Sequence, residues 1–171
     1  ASSPEFLRPL AGIAPADGHF LHFCAFELGR GPDGAWWVLG DRMQAPSGAG
    51  YALENRLVVS RVFPQPFRDL RVQHLASFFA ALRESLLRWA PRGGPGDAAP
   101  LIALLTPGPF NETYFEHALL ARYLGVALVE GSDLTVRDGC VWMKTVEGLQ
   151  RVHAILRRQD DDYCDPLGLR T

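Results

Sequence analysis

Three runs of residues in this chain have the types and spacing to do chemistry. In the first, Asp41-Arg42 closes an apolar stretch and leads into Pro46-Ser47-Gly48-Ala49-Gly50, then Tyr51 and Glu54-Asn55-Arg56. A strand that ends in charge and passes through a Gly/Ser loop into a helix can present a polyanion site. Backbone N–H groups at Gly48 and Gly50 would aim at phosphate oxygens, the helix would lend its positive end, and Arg42 and Arg56 would add full charges. The loop is not a P-loop, since it lacks Gly-Lys-Ser/Thr, and its glycine spacing does not fit the dinucleotide fingerprint. On loop chemistry alone, a tight strand-to-helix turn that needs small residues is the favoured alternative.

The second run, Thr106 to His117, begins at the carboxyl end of an apolar strand and enters a helix, the crevice in which open α/β sheets bind ligands. Thr106, Asn111 and Thr113 offer hydroxyl and amide groups, whereas Pro107 and Pro109 remove backbone donors, so a small amino acid or peptide suits this run better than a phosphate. An equal alternative makes Asn111 a helix N-cap and leaves Glu116 and His117 exposed. The third run is Arg157-Arg158-Gln159-Asp160-Asp161-Asp162 at the end of another apolar strand. Its two cations and three carboxylates could clamp a substrate carboxylate and amine, or form a solvated ion-pair network. His19, His22, His74 and His153 show no ligand spacing, and no Ser/His/Asp order suggests a hydrolytic triad.

These runs must be positioned by the elements between them. Residues 19–28 and 35–41 read as an antiparallel hairpin about the turn cluster Gly29-Arg30-Gly31-Pro32-Asp33-Gly34. Residues 50–62 read as a helix ended by Phe63-Pro64-Gln65-Pro66, the expected boundary between two lobes. Over 72–89, Val72, Leu75, Phe79, Leu82 and Leu86 recur at helical spacing. A strand at 101–105, a helix at 111–124 stopped by Gly125 and a strand at 127–129 predict a parallel β-α-β unit. Residues 133–136 and 140–144 flank Arg137-Asp138-Gly139, a hairpin signal, and 153–158 reads as a further parallel strand. Residues 91–100 read as a loop.

Composition bounds the rest. With 171 residues, 47% hydrophobic and 21% charged, the chain falls in the ordinary globular range. A net charge of −2 gives no basic field for nucleic acid or an anionic membrane. Cys24, Cys140 and Cys164 lack a CxxC pair and read as cytosolic thiols, and no apolar run reaches the length of a membrane span, so a cytoplasmic location is expected.

The order of these blocks resembles the bacterial circularly permuted ATP-grasp family, which is related in architecture to glutathione and glutathionylspermidine synthetases. The likeness runs from Asp41-Arg42, Pro46-Ser47-Gly48 and Glu54-Asn55-Arg56 through Thr106 to His117, Leu124-Gly125, Leu128-Val129-Glu130-Gly131, Asp133-Leu134 and Leu156 to Asp162, then Asp165-Pro166-Leu167. It implies an α/β chain: a partial ATP-grasp nucleotide lobe (hairpin plus helix) over 1–62, then a small three-layer α/β substrate domain with a mostly parallel sheet over 63–171. It implies a middle portion of a longer protein, an expectation shared by a start without Met and a stop just after a polar cluster. It further implies an ATP-dependent carboxylate–amine ligase acting through an acyl phosphate, with ATP and Mg²⁺ as cofactors and the rest of the polypeptide as partner. Nucleotide contacts would fall to Asp41, Arg42, Ser47, Gly48, Gly50 and Arg56. Substrate contacts would fall to Thr106, Asn111, Glu116, His117, Arg157, Arg158, Asp161 and Asp162. By the same resemblance, the strand before the Pro-Ser-Gly loop would carry a carboxylate and, two positions on, an amide for the metal; Gly40 and Arg42 stand there instead. Either Arg42 replaces the metal as a fixed cation, or the chain is a non-catalytic binding or scaffolding module.

Overall fold

A computed structural model describes residues 11–15, 18–90, 99–160 and 163–164. It is a mixed α/β chain that parts into two compact units, Ala1–Met43 and Gln44–Thr171. The first unit is a hairpin of β1 (Ala25–Arg30) and β2 (Trp36–Arg42), antiparallel and turned at Gly31 to Gly34, where Gly34 takes φ +82°. The first strand starts at residue 25, later than the apolar run that begins near 19. The register slips between Glu27 and Leu28, which pair with Gly40 and Val38, so Leu39 is an extra residue on β2. Trp36, Trp37, Val38 and Leu39 are all exposed.

The second unit holds everything else. Helix α1 (Ala49–Val62) is followed directly by α2 (Pro64–Asp69), with proline in its first turn. The prolines therefore start a helix: in the first turn a missing N–H would have had no partner anyway. The two compact units meet in sequence between Met43 and Gln44, and α1 packs against α4 and α2 within the second. The third helix, α3 (Ala76–Trp89), is shorter than its periodicity suggests; Val72 lies in the preceding turn and donates its N–H to the carbonyl of Phe67.

Strands β3 (Ile102–Leu105), β4 (Ala127–Val129) and β8 (Ala154–Arg157) form a parallel sheet in the order β4-β3-β8, with α4 (Tyr114–Leu124) crossing from β3 to β4 as the β-α-β reading predicts. Gly125 ends α4 in the left-handed conformation, φ +68°. A 3₁₀ turn (Gly131–Asp133) leads to β5 (Leu134–Arg137), β6 (Cys140–Thr145) and β7 (Gly148–Val152), an antiparallel sheet whose first turn is Asp138-Gly139 with both φ positive. Strand β7 was not predicted. Strand alternation on β3 sends Ala103 toward a cluster with Val129, Val152, Leu134, Val141 and Met143, and sends buried Ile102 and Leu104 to the opposite face. Helix α4 packs on β3 and β4, and α3 on β8, giving three layers: helices, parallel sheet, antiparallel sheet. Among the described residues, no helix is long and apolar enough to cross a membrane.

Candidate functional site

The carboxyl ends of β3 and β8 lie side by side. Leu105 is in register with Arg157, and the Arg158 N–H donates to the Leu105 carbonyl at 2.8 Å. Thr106 and Arg158 follow these strands, and both are buried. Helix α4 brings Glu116 and His117 to the same place, equally buried. The second and third sequence runs therefore do converge, as adjacent parallel strands require. What they form is a buried polar junction.

Its first arm is a hydrogen-bond chain through His117. The Thr113 hydroxyl donates to Asn111 Oδ1 at 2.6 Å, so it must accept from His117 Nε2, 3.0 Å away. That places the imidazole proton on Nε2. Nδ1 is then an acceptor and takes the Thr106 hydroxyl proton at 2.8 Å, while Thr106 Oγ1 accepts the Gly108 N–H at 3.2 Å. One proton direction satisfies the whole chain with a neutral imidazole. The pKa of His117 is lowered from 6.5 to about 4, first by burial, then by the Arg158 charge, with Glu116 opposing. Asn111 is not the helix cap: α4 starts at Tyr114 with Thr113 before it, and Asn111 Oδ1 accepts from both the Thr113 N–H and its hydroxyl.

The second arm reaches the Pro-Ser-Gly loop. Gly48 takes φ +117° at the N-cap of α1, a conformation that suits glycine. Helix α1 has no acidic residue in its first turn and no side-chain cap of its own. Glu116 supplies one from α4. Its carboxylate accepts the Gly48 N–H at 2.8 and 3.0 Å and the Gly50 N–H at 2.8 Å. The approach is so close that a Cβ on Gly50 would stand 2.7 Å from Glu116 Cγ. Arg158 Nη2 donates to the Pro46 carbonyl at 2.6 Å and lies 3.8 Å from Glu116 Oε2. Burial draws the Arg158 pKa down, and Glu116 opposes that shift.

The remaining candidates are placed elsewhere. Arg56 donates to the Gln73 carbonyl, and Ser47 is exposed. Arg157 is half-buried, on the opposite face of β8 from Arg158 by strand alternation. Asp161 and Asp162 lie outside the described residues. In the hairpin, Asp41 and Arg42 still alternate, because the irregularity precedes them. Arg42 Nε and Nη2 both donate to Glu27 Oε1, at 3.0 and 2.5 Å. Glu27 went unrecognised in the sequence, although folding the strands about Gly29 to Gly34 places it across from Gly40.

As a holder of Mg²⁺ and a polyphosphate, this donor set does not fit. Gly40 has no ligand atom, Arg42 is a cation already paired with Glu27, and the Gly48 and Gly50 amides are given to Glu116. Among the described residues, no group of three or more His, Cys, Asp or Glu side chains could hold a metal.

The chain matches the family described as circularly permuted ATP-grasp type 2 over residues 1–171, and it belongs to that family. An uncharacterised Synechocystis protein is 46% identical over 165 residues, 96% of this chain and 34% of the relative. Two uncharacterised Mycobacterium tuberculosis proteins are 42% and 43% identical over 169 residues, covering 99% and 98% of this chain but 30% and 19% of their own lengths. The chain thus spans about a third or less of the relatives it matches.

Proposed function

We propose that this segment works within an ATP-dependent ligase that joins a carboxylate to an amine or thiol through an acyl phosphate. A small amino acid or peptide is the substrate, and the rest of the polypeptide is the partner. Membership of the circularly permuted ATP-grasp family over all 171 residues carries this reading. The polar groups at the carboxyl ends of β3 and β8, with Asn111 only half-buried, support a substrate-side role for the segment. ATP and Mg²⁺ would then be held by other parts of the polypeptide.

The test is the intact polypeptide incubated with Mg²⁺-ATP, a panel of amino acids and hydroxylamine. ADP release coupled to hydroxamate formation supports the ligase; ATP turnover without amino-acid dependence, or none at all, counts against it. The isolated 171-residue segment should bind Mg²⁺-ATP weakly or not at all, because part of a composite site contributes less than its share of affinity once ordering costs are met. Low-micromolar calorimetric affinity would show that the segment holds a complete site.

A second reading, a non-catalytic binding or scaffolding module, is favoured by Gly40 and Arg42. The hairpin register suggests a direct comparison. Residue 40 is opposite Glu27, and residue 42 lies two positions along the same face, so Gly40→Asp with Arg42→Asn would set two carboxylates and an amide together. A degenerate module should gain Mg²⁺ affinity from this double change, whereas an enzyme that depends on Arg42 should lose turnover.

A further inference from the structure

The features that suit the Pro46–Gly50 loop to an anion are already in use. Gly48 and Gly50 point their N–H groups at one carboxylate, the N-terminal end of α1 faces it, and the buried Arg158 guanidinium stands 3.8 Å away. We propose that Glu116 is the resident anion of this loop. The loop is a joint that ties α1 to the carboxyl edge of the parallel sheet, and it does not receive the phosphates of a nucleotide.

Three observations support this. Both Glu116 oxygens accept from the loop, with all three distances between 2.8 and 3.0 Å. The side chain is 0% exposed, so the contact is no incidental surface pairing. Gly50 could carry no side chain without striking Glu116 Cγ, so the backbone is shaped around this particular residue. A phosphate entering here would have to expel a buried carboxylate from beneath the loop or share its two donors, and two anions on the same amides repel each other.

This inference stands apart from the ligase reading, since hydroxamate formation can succeed or fail whatever the Gly48 and Gly50 amides hold. The experiment is hydrogen exchange of those two amides in the intact polypeptide, with and without millimolar inorganic pyrophosphate. In the wild type both should exchange slowly and at rates that pyrophosphate leaves unchanged. In Glu116→Ala they should exchange on the order of tenfold faster or more, the equivalent of losing one hydrogen bond to a charged group. Pyrophosphate or acetate should restore their protection only in that variant, by refilling the vacated cradle. Slower exchange in the wild type on adding pyrophosphate would overturn the proposal, and so would unchanged exchange in Glu116→Ala. If Glu116→Ala does not fold, the wild-type titration still decides the matter, and Glu116→Gln, which keeps one carbonyl acceptor, should show a smaller acceleration.

Discussion

Two Arg–Glu pairs, one in each compact unit, show how little an interatomic distance says about what a pair does. Arg42 and Glu27 approach to 2.5 Å on the hairpin, with side chains 68% and 53% exposed. Arg158 and Glu116 stand 3.8 Å apart, with side chains 1% and 0% exposed. The longer pair matters more. Water screens the first pair, and either partner can be solvated when the other is removed. The second cannot be solvated, and each partner also holds backbone: Glu116 the Gly48 and Gly50 amides, Arg158 the Pro46 carbonyl. Removing one member leaves a buried charge and unmet backbone groups together.

The sharpest test of that contrast is Glu116→Ala, which should destabilise the protein by about 3–5 kcal/mol, the usual cost of breaking a buried pair by removing one partner. Urea unfolding measures it, and a loss no larger than that of an exposed pair would erase the distinction between the two units. Gly50→Ala attacks the same contact from the other side. The added Cβ would stand 2.7 Å from Glu116 Cγ, so overpacking of about 1–3 kcal/mol is expected. An unchanged unfolding midpoint would mean that Glu116 has room to retreat.

Next in size is a pH effect in the buried junction that the hairpin pair should lack. Because His117 titrates near 4 when folded and 6.5 when free, the unfolded chain takes up its proton first as pH falls. Stability from the neutral imidazole is complete above about pH 6.5 and is lost as pH drops from there toward 4. One proton contributes a slope of at most about 1.4 kcal/mol per pH unit. Arg158 and Glu116 face the ring and share its environment. The measurement is therefore the difference between wild type and His117→Gln, whose stability should depend less on pH over this window. Parallel curves would show that the fold does not lower the pKa of His117.

Much of this frame was legible from the sequence. Leu101 to Leu105, the helix ended by Gly125 and the short apolar run after it favoured a crossover unit, and Asp138-Gly139 signalled its hairpin turn. That Thr106 and Arg158 meet follows from the same topology. What periodicity could not supply was the partner of a buried polar group. Glu116 and His117 are adjacent on one helix and read alike, as substrate contacts or as surface residues, yet one turns to the α1 loop and the other to Thr106. The glycines of the Gly48–Gly50 loop left open a tight turn or an anion site, and nothing local could point to the Glu116 carboxylate that takes the Gly50 amide, because the two residues are 66 apart. The prolines at 64 and 66 marked where α1 stops but not that α2 starts there, because proline is a breaker inside a helix and an ordinary residue in its first turn.

The smallest expected effect belongs to Arg42. On stability, Arg42→Ala should cost no more than about 1 kcal/mol, because the pair it breaks is exposed. The more telling quantity is nucleotide affinity of the intact polypeptide. A guanidinium serving phosphate in place of a metal would contribute about 1.5–3 kcal/mol, so its removal would weaken binding by roughly 10- to 150-fold. Here Nε and Nη2 of Arg42 both donate to Glu27, so a change below about threefold is expected, a difference of about 0.6 kcal/mol. Glu27→Ala sharpens the point by freeing the guanidinium while leaving it in place. If Arg42 can serve a phosphate at all, affinity should rise in that variant and fall back in the double variant with Arg42→Ala. If all three proteins bind alike, the Arg42–Glu27 pair is a hairpin clasp with no part in holding nucleotide. A tenfold loss in Arg42→Ala alone would instead show that Arg42 leaves Glu27 for the ligand, and an exposed pair would then matter more to function than the buried one does.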